Sequence, residues 1–180
     1  MDGFQPGEEC IICQGKCCRE HGCVLAPCDL FRALRGAGIP CRMGDEEGQI
    51  TRETLLAFLQ REENLFAIDR MHGGLYFLRM RHKCYNFIGV DAMGECVALT
   101  EKGCSLSYEE RPKGGRYLKS SPDFHCAQQY TAEMMAEDWA PFQELLQSIW
   151  EEYEPKFEAD GTFDRCDEEY FRWMRSKTDT

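Results

Sequence analysis

The sequence predicts an α+β fold that is mainly α, with helices around a small antiparallel hairpin and a cysteine-rich loop region. Three observations predict it. Apolar residues recur at helical spacing in several segments, two short strand-like runs flank a glycine pair, and twelve cysteines are spread over 180 residues. Apolar residues make up 43% of the chain, enough to bury a core. We expect one domain over residues 1–180, with a cysteine-cluster region at 10–126 and C-terminal helices at 127–180.

Two helices are expected in the first third of the chain. Asp29 to Arg35 carries apolar residues on one side, and Gly36 and Gly38 follow as residues that end helices readily. Thr51 is a good N-cap for a second helix that runs to about Glu62, because its hydroxyl can accept a hydrogen bond from the first turn. Both helices should turn leucines toward the core.

A β-hairpin is predicted directly after the second helix. Leu65 to Asp69 and Leu75 to Arg81 have the composition of short strands, and Met71 to Gly74 supplies a glycine-rich turn between them. Cys96 to Leu99 is a further candidate strand. The sheet content of the chain is therefore expected to be small and antiparallel.

The remaining helices are predicted from three signals. Ser107 to Glu110 fits a capping box, so a short helix begins there and stops at Pro112. Thr131 to Tyr153 has the strongest helical spacing, and Pro141 inside it predicts a kink or two abutting helices. A last helix is expected over Asp164 to Arg175. Its buried side chains are predicted to be Tyr170, Phe171 and Met174.

Charge and hydropathy argue against several classes of partner. The formal net charge is −11, which disfavours binding to nucleic acid or to an anionic membrane, since both need basic residues against phosphate. No stretch approaches the roughly 18 apolar residues of a membrane span. The N-terminus has neither the basic nor the apolar region of a signal peptide. We therefore expect a cytoplasmic protein with no nucleic-acid partner and no membrane partner.

The cysteines near the N-terminus predict a metal site. Cys10, Cys13, Cys17 and Cys18 lie close together, and in a reducing compartment such clustered thiols are metal ligands or redox groups rather than disulfides. A two-residue gap lets two thiolates converge on one metal. Adjacent side chains in an extended backbone point to opposite sides, so one of Cys17 and Cys18 is expected to join the site. The run would then supply three ligands, and a remote cysteine would complete the set.

Three remote cysteines are candidates for that completion, namely Cys96, Cys104 and Cys126. A turn at Thr100 to Gly103 would bring the first two sulfurs together. Soft thiolates suit zinc, cuprous copper and iron–sulfur clusters. A 4Fe–4S cluster is preferred over zinc, because almost every candidate ligand is sulfur and more are present than one zinc needs. The other cysteines are interpreted as small buried apolar residues: Cys23, Cys28, Cys41, Cys84 and Cys166.

The pattern of cysteines resembles a known family. The Cys-x-x-Cys-x-x-x-Cys-Cys run, followed downstream by Gly103-Cys104-Ser105 and then Glu110-Arg111-Pro112, resembles the YkgJ-like cysteine-cluster proteins, which are described as zinc- or iron-chelating domains. The flagellin lysine N-methylases carry a related cluster. The resemblance covers roughly residues 10–126 and implies a cluster-binding domain without a particular reaction. The family pattern places a cysteine before an arginine that Arg116 matches, and here Gly115 stands at the cysteine position.

Several functions stay open at this stage. Metal or cluster binding can serve redox chemistry, metal handling or an orphan enzymatic activity, with no catalytic residue assigned. A zinc-stapled structural or interaction module without catalysis is the main alternative. An enzyme related to the N-methylases and a thiol–disulfide protein using the vicinal pair Cys17 and Cys18 are further hypotheses. For Arg111 and Arg116 we favour a structural or charge-compensating role over substrate binding.

Overall fold

The predicted class, α+β and mainly α, is confirmed by a computed structural model. It describes the following residues: 18, 22–41, 50–71, 73–89, 94–101, 103–119 and 127–178. Its helices are α1 Pro27–Gly36, α2 Arg52–Leu59, α3 Lys113–Arg116, α4 Ala132–Trp139, α5 Gln143–Ala159 and α6 Thr162–Thr178. Its strands are β1 Phe66–Arg70, β2 Tyr76–Met80, β3 Leu99–Thr100, β4 Gly103–Cys104, β5 Leu118–Lys119 and β6 Ala127–Gln128. None of the helices in these ranges has the length and apolar character that a membrane span requires.

Helices α1 and α2 form where the sequence predicts them. The hydroxyl of Thr51 accepts a hydrogen bond from the amide of Thr54 at 3.2 Å, so Thr51 is the N-cap of α2. The helix stops at Leu59, earlier than expected. The side-chain amide of Asn64 donates to the Leu59 carbonyl at 2.9 Å and to the Phe66 carbonyl at 2.7 Å. This buried amide turns the chain from α2 into β1.

Strands β1 and β2 form the predicted antiparallel hairpin. Phe66 lies opposite Met80 and Arg70 lies opposite Tyr76. The turn contains Gly73 at φ +101° and Gly74 next to it, and this conformation is one that residues with a Cβ rarely adopt. All five residues of β2 are buried, so this strand lies inside the protein rather than on its surface.

A segment before α1 covers the other edge of β2. Val24 forms an antiparallel bridge with Arg79, and the amide of Leu25 donates to the Leu78 carbonyl at 2.8 Å. The indole of Trp139, which is fully buried, donates to the Leu25 carbonyl at 2.9 Å. The segment is therefore held between β2 and the end of α4. No local pattern in the sequence predicted this pairing.

The C-terminal helices cover the hairpin. The predicted break at Pro141 is confirmed, since α4 ends at Trp139 and a 3₁₀ turn over Ala140–Phe142 leads into α5. Helix α5 packs on β2 and on α2 through Ile149 and Trp150, and the Trp150 ring lies 5.8 Å from that of Tyr76. The tryptophans of this helical run, Trp139 and Trp150, are therefore part of the core.

Two local predictions in the middle of the chain are wrong. Cys96 forms only an isolated bridge with His82, and the strand is confined to Leu99–Thr100. Glu110 accepts from the amide of Ser107 at 2.9 Å as in a capping box, yet a turn follows instead of a helix. The residue before a proline avoids the helical region, so the helix cannot run into Pro112 and α3 starts after it.

The buried face of α6 also differs from the prediction. Phe171 is 56% exposed, and Tyr170 is half-buried. The side chain of Met174 lies outside the described residues. The helix is buried instead near its start, where Cys166 is 1% exposed and the Phe163 ring lies 5.9 Å from the ring of Tyr85. Helix α6 packs through its first turns, and Phe171 lies beyond that contact.

Candidate metal centre

Three of the predicted metal ligands line one small cavity. Cys18, Cys96 and Cys104 surround a space of about 30 Å³ together with a fourth cysteine, Cys23. Cys18 and Cys96 are 7% and 3% exposed, and Cys23 and Cys104 are half-buried. The other predicted ligands lie outside the described residues: Cys10, Cys13, Cys17 and Cys126. The structure therefore describes three of the seven predicted ligands.

Backbone hydrogen bonds bring Cys18 and Cys96 together. The amide of Cys96 donates to the carbonyl of Cys18 at 2.7 Å. The next amide, that of Val97, donates to the Arg81 carbonyl at 2.8 Å, just after β2 ends. The end of the N-terminal cysteine run and the segment around Cys96 are thus held side by side, although Cys18 and Cys96 are 78 positions apart in the sequence.

Cys23 and Cys104 reach the same cavity from two other segments. The carbonyl of Cys23 accepts from the amide of Met80 at 2.8 Å, which places Cys23 at the end of β2. Cys104 lies opposite Leu99 in the short hairpin of β3 and β4, and Gly103 before it adopts a φ of +98°. Two distant regions of the chain, at 18–23 and 96–104, therefore contribute two thiols each to the cavity.

Two glycines of α3 permit a close approach to the Cys23 segment. The amide of Gly114 donates to the Val24 carbonyl at 3.1 Å, and a Cβ on Gly114 would lie 2.6 Å from that carbonyl oxygen. A Cβ on Gly115 would lie 3.1 Å from the sulfur of Cys23. The position at which the family pattern has a cysteine thus faces the thiol of Cys23 directly.

Asp29 ties α3 to α1 beside the cavity. Its carboxylate is 3% exposed and accepts from the amides of Ala26 at 3.0 Å and Lys113 at 2.7 Å. Arg116 forms an ion pair with the same carboxylate at 3.3 Å and donates to the Arg111 carbonyl at 2.6 Å. The structural role expected for Arg116 is confirmed. Asp29 therefore supports the wall of the cavity that carries Gly115.

Replacing Asp29 by alanine is expected to lower the free energy of unfolding by about 2–4 kcal/mol, because two backbone amides and two arginines, Arg32 and Arg116, lose their acceptor. Urea or guanidinium unfolding followed by circular dichroism measures the change. Glu137→Ala on the exposed side of α4 is the control and should shift the value by less than about 0.5 kcal/mol. Equal effects of the two substitutions would contradict the role assigned to Asp29.

Arg111 supplies positive charge at the cavity. Its side chain lines the space with the four cysteines, and its Nε donates to the Leu106 carbonyl at 3.3 Å. A guanidinium beside the cavity would offset the negative charge of a thiolate–metal centre. The remaining described lining is apolar and includes Met80 and Leu118. The arrangement suits a buried site with sulfur donors and one compensating cation.

The thiols are gathered at this cavity, but they are not arranged as a finished metal site. Among the residues that the structure describes, no three His, Cys, Asp or Glu side chains form a metal-binding group. The described cysteines also form no disulfide. A zinc ion would require sulfurs at about 2.3 Å from it. Sulfur donors in an apolar lining fit a soft or borderline metal such as zinc or iron.

The sequence interpretation of the other cysteines is right for some and wrong for others. Cys41 and Cys166 are buried as expected, at 8% and 1% exposure. Cys28 is exposed on α1, so its interpretation as a buried apolar residue is wrong. Cys23 was missed as a cavity residue. The available signal was Gly115, which stands where the family pattern has a cysteine and faces the sulfur of Cys23.

The fold and the site define an α+β chain whose helices and hairpin support a cysteine-lined cavity. Comparison with family models, with curated proteins and with solved structures finds no match to this chain. The similarity to the YkgJ-like proteins is therefore a prediction that depends on the motif residues alone.

Proposed function

We propose that this chain binds a metal centre through the thiolates of its cysteine-lined cavity. One observation carries the proposal: Cys18 and Cys23, from one region of the chain, and Cys96 and Cys104, from a distant one, meet at one small space whose other lining is apolar except for Arg111. A single buried cysteine packs as a small apolar residue and needs no further explanation. Packing alone does not explain four cysteines and an arginine at one cavity, whereas metal binding does.

The cavity volume favours a single zinc ion. About 30 Å³ is only two or three times the roughly 10–15 Å³ that one water needs, and a four-coordinate ion fits such a space. A 4Fe–4S cluster has eight core atoms and would push the thiols farther apart. A zinc ion would link the two chain regions that carry the four cysteines. It would then stabilise the fold, in a module without catalysis of its own.

An iron–sulfur cluster is the second candidate. The N-terminal run predicts additional sulfurs at Cys10, Cys13 and Cys17, so the chain offers more thiolates than one zinc can bind. A cluster held by four of them would supply electron transfer, and the role would then be redox or metal handling. The number of sulfurs supports this candidate, whereas the volume between the described cysteines supports zinc.

Metal analysis of anaerobically purified protein tests the proposal and separates the two candidates. About one zinc per chain in a colourless preparation supports the structural site. A brown preparation that contains iron and acid-labile sulfide supports the cluster. Protein that is folded, carries neither metal and takes up neither on reconstitution would overturn the proposal.

An exchange of sulfur between positions 23 and 115 tests the ligand assignment. The sulfur of Cys23 lies 3.1 Å from where a Cβ of residue 115 would be, so a cysteine at 115 can approach the same space once Cys23 is shortened. We expect Cys23→Ala to lower the metal affinity by more than about 10-fold and Cys23→Ala/Gly115→Cys to recover most of it.

Cys28→Ala is the matched control for this exchange, since Cys28 is an exposed thiol close in sequence that does not line the cavity. Its metal content should equal that of the unmodified protein. Full metal binding by Cys23→Ala would remove Cys23 from the ligand set. If the double variant binds metal no more tightly than Cys23→Ala, position 115 does not point at the metal.

A further inference from the structure

A second pair of thiols lies away from the cysteine-lined cavity. Cys84, in the segment after β2, and Cys166, on α6, are neighbours in the wall of one cavity. Cys166 is 1% exposed and Cys84 is half-buried. Both line a separate cavity of about 200 Å³, which also includes Lys83 and Tyr170. The pair thus combines an accessible thiol, a buried thiol and open space next to them.

Packing of α6 holds the two thiols in register. Phe163 and Cys166 are three residues apart and share one face of α6. The Phe163 ring contacts Tyr85 at 5.9 Å, while Cys166 meets the adjacent Cys84. Two neighbouring residues of one segment therefore contact two neighbouring residues on one helix face. The packing of α6 therefore places both thiols at the same cavity.

The two thiols differ in acidity. The hydrogen bond that Cys84 accepts from Cys166 lowers the pKa of Cys84, although burial and the carboxylates of Glu169 and Asp167 act against it. Donating that hydrogen bond, together with burial, raises the pKa of Cys166. The other charges at the cavity, Lys83 and Glu95, are paired with each other at 2.9 Å. Cys84 is therefore the thiol that ionises first and Cys166 the one that keeps its proton.

We infer that Cys84 and Cys166 form a dithiol site that exchanges with low-molecular-weight disulfides, with Cys84 as the attacking thiol and Cys166 as the resolving thiol. The inference depends on the cavity that both thiols line, on the packing of α6 beside them and on their unequal exposure. A space of about 200 Å³ admits the sulfur-bearing end of such a molecule but not a large ligand. This function is independent of the metal centre, whose cavity has different lining residues.

The chemistry takes two exchange steps. The Cys84 thiolate attacks one sulfur of the external disulfide, a new S–S bond forms, and the other half leaves as a thiolate. Cys166 then attacks the Cys84 sulfur, and its proton passes to a leaving thiolate. The S–S bond between Cys84 and Cys166 forms as the mixed disulfide breaks. In balance, two protein thiols lose two electrons and the external disulfide becomes two thiols.

Incubation of the full-length protein with oxidised glutathione, followed by alkylation and peptide mapping, tests the inference. The unmodified protein should yield an intramolecular Cys84–Cys166 disulfide. Cys166→Ser should instead trap glutathione on Cys84, because the resolving thiol is missing. Cys84→Ser should leave Cys166 unmodified, since the buried thiol has no access to the reagent. At neutral pH, Cys84 should react with an alkylating agent about 5–10-fold faster than the exposed Cys28.

Two results would overturn the inference. One is an unmodified protein that forms no Cys84–Cys166 disulfide at any ratio of oxidised to reduced glutathione. The other is a Cys84 that is alkylated no faster than Cys28. Neither result requires a variant to fold, because both are read on the unmodified chain. Metal content should be the same in Cys84→Ser and in the unmodified protein, so failure here is distinguishable from failure of the metal centre.

Discussion

Replacing Cys96 by alanine is expected to abolish metal binding by the purified protein. Cys96 is 3% exposed, lines the cavity and is tied by its own amide to Cys18, so its thiol is held in the cavity wall. Loss even of a group that only supports a metal ligand costs about 10–100-fold in affinity, and loss of a thiolate ligand should cost more than about 100-fold. Metal per chain after dialysis against a competing chelator measures the change.

Cys41→Ala is the matched control for Cys96→Ala. Cys41 is also buried, at 8% exposure, and its thiol donates to the Phe31 carbonyl at 3.7 Å, away from the cysteine-lined cavity. Both substitutions remove one buried sulfur and cost similar packing. Only Cys96→Ala should lose metal. If both variants keep their metal and their circular dichroism spectra, Cys96 is not a ligand and the proposed centre is elsewhere or absent.

Replacing Trp139 by alanine should have the largest effect on stability, lowering the free energy of unfolding by about 3–5 kcal/mol. The indole is fully buried, and it contacts Phe142 at 5.7 Å while its N–H donates to the Leu25 carbonyl. Alanine would leave a cavity between α4 and the segment that carries Cys23. Trp139→Phe keeps most of the packing and removes the hydrogen bond, so we expect a smaller loss of about 1–3 kcal/mol.

Denaturant unfolding of the unmodified protein, Trp139→Ala and Trp139→Phe measures these effects, and Phe171→Ala is the control. Phe171 is an aromatic residue that is 56% exposed on α6, so its removal should change the free energy of unfolding by less than about 0.5 kcal/mol. A loss for Trp139→Ala no larger than that for Phe171→Ala would mean that the contact with Leu25 does not hold the segment in solution.

The sequence predicted those elements whose signals are local. Thr51 caps α2 because a threonine hydroxyl meets the amide of Thr54 within one turn, whatever lies around it. Gly73 sits in the hairpin turn because the required φ excludes other residues. Pro141 interrupts the long helical run because it cannot continue the hydrogen-bonding pattern. Each of these residues carries its own physical constraint, so a single sequence is enough to interpret them.

Predictions that depended on a distant neighbour were less accurate. Phe171 has the spacing of a core residue but lies beyond the part of α6 that packs on Tyr85, so it is exposed. Cys96 has strand-like neighbours, yet it lies outside the strands, where it bridges to His82 and donates its amide to the Cys18 carbonyl. Periodicity reports which residues share a face of their own element. It does not report whether another element covers that face.

By itself, the sequence determined the mainly α class with one hairpin and the expectation that distant cysteines meet at a metal. Only the tertiary structure decided which described thiols lie together. It added Cys23 to the cavity and moved Cys28 to the surface, although the two are five positions apart in the sequence, at 23 and 28. The physical reason is the hydrogen bond from the Met80 amide to the Cys23 carbonyl, which holds Cys23 beside β2. This contact joins distant parts of the chain, so the spacing of neighbouring residues does not predict it.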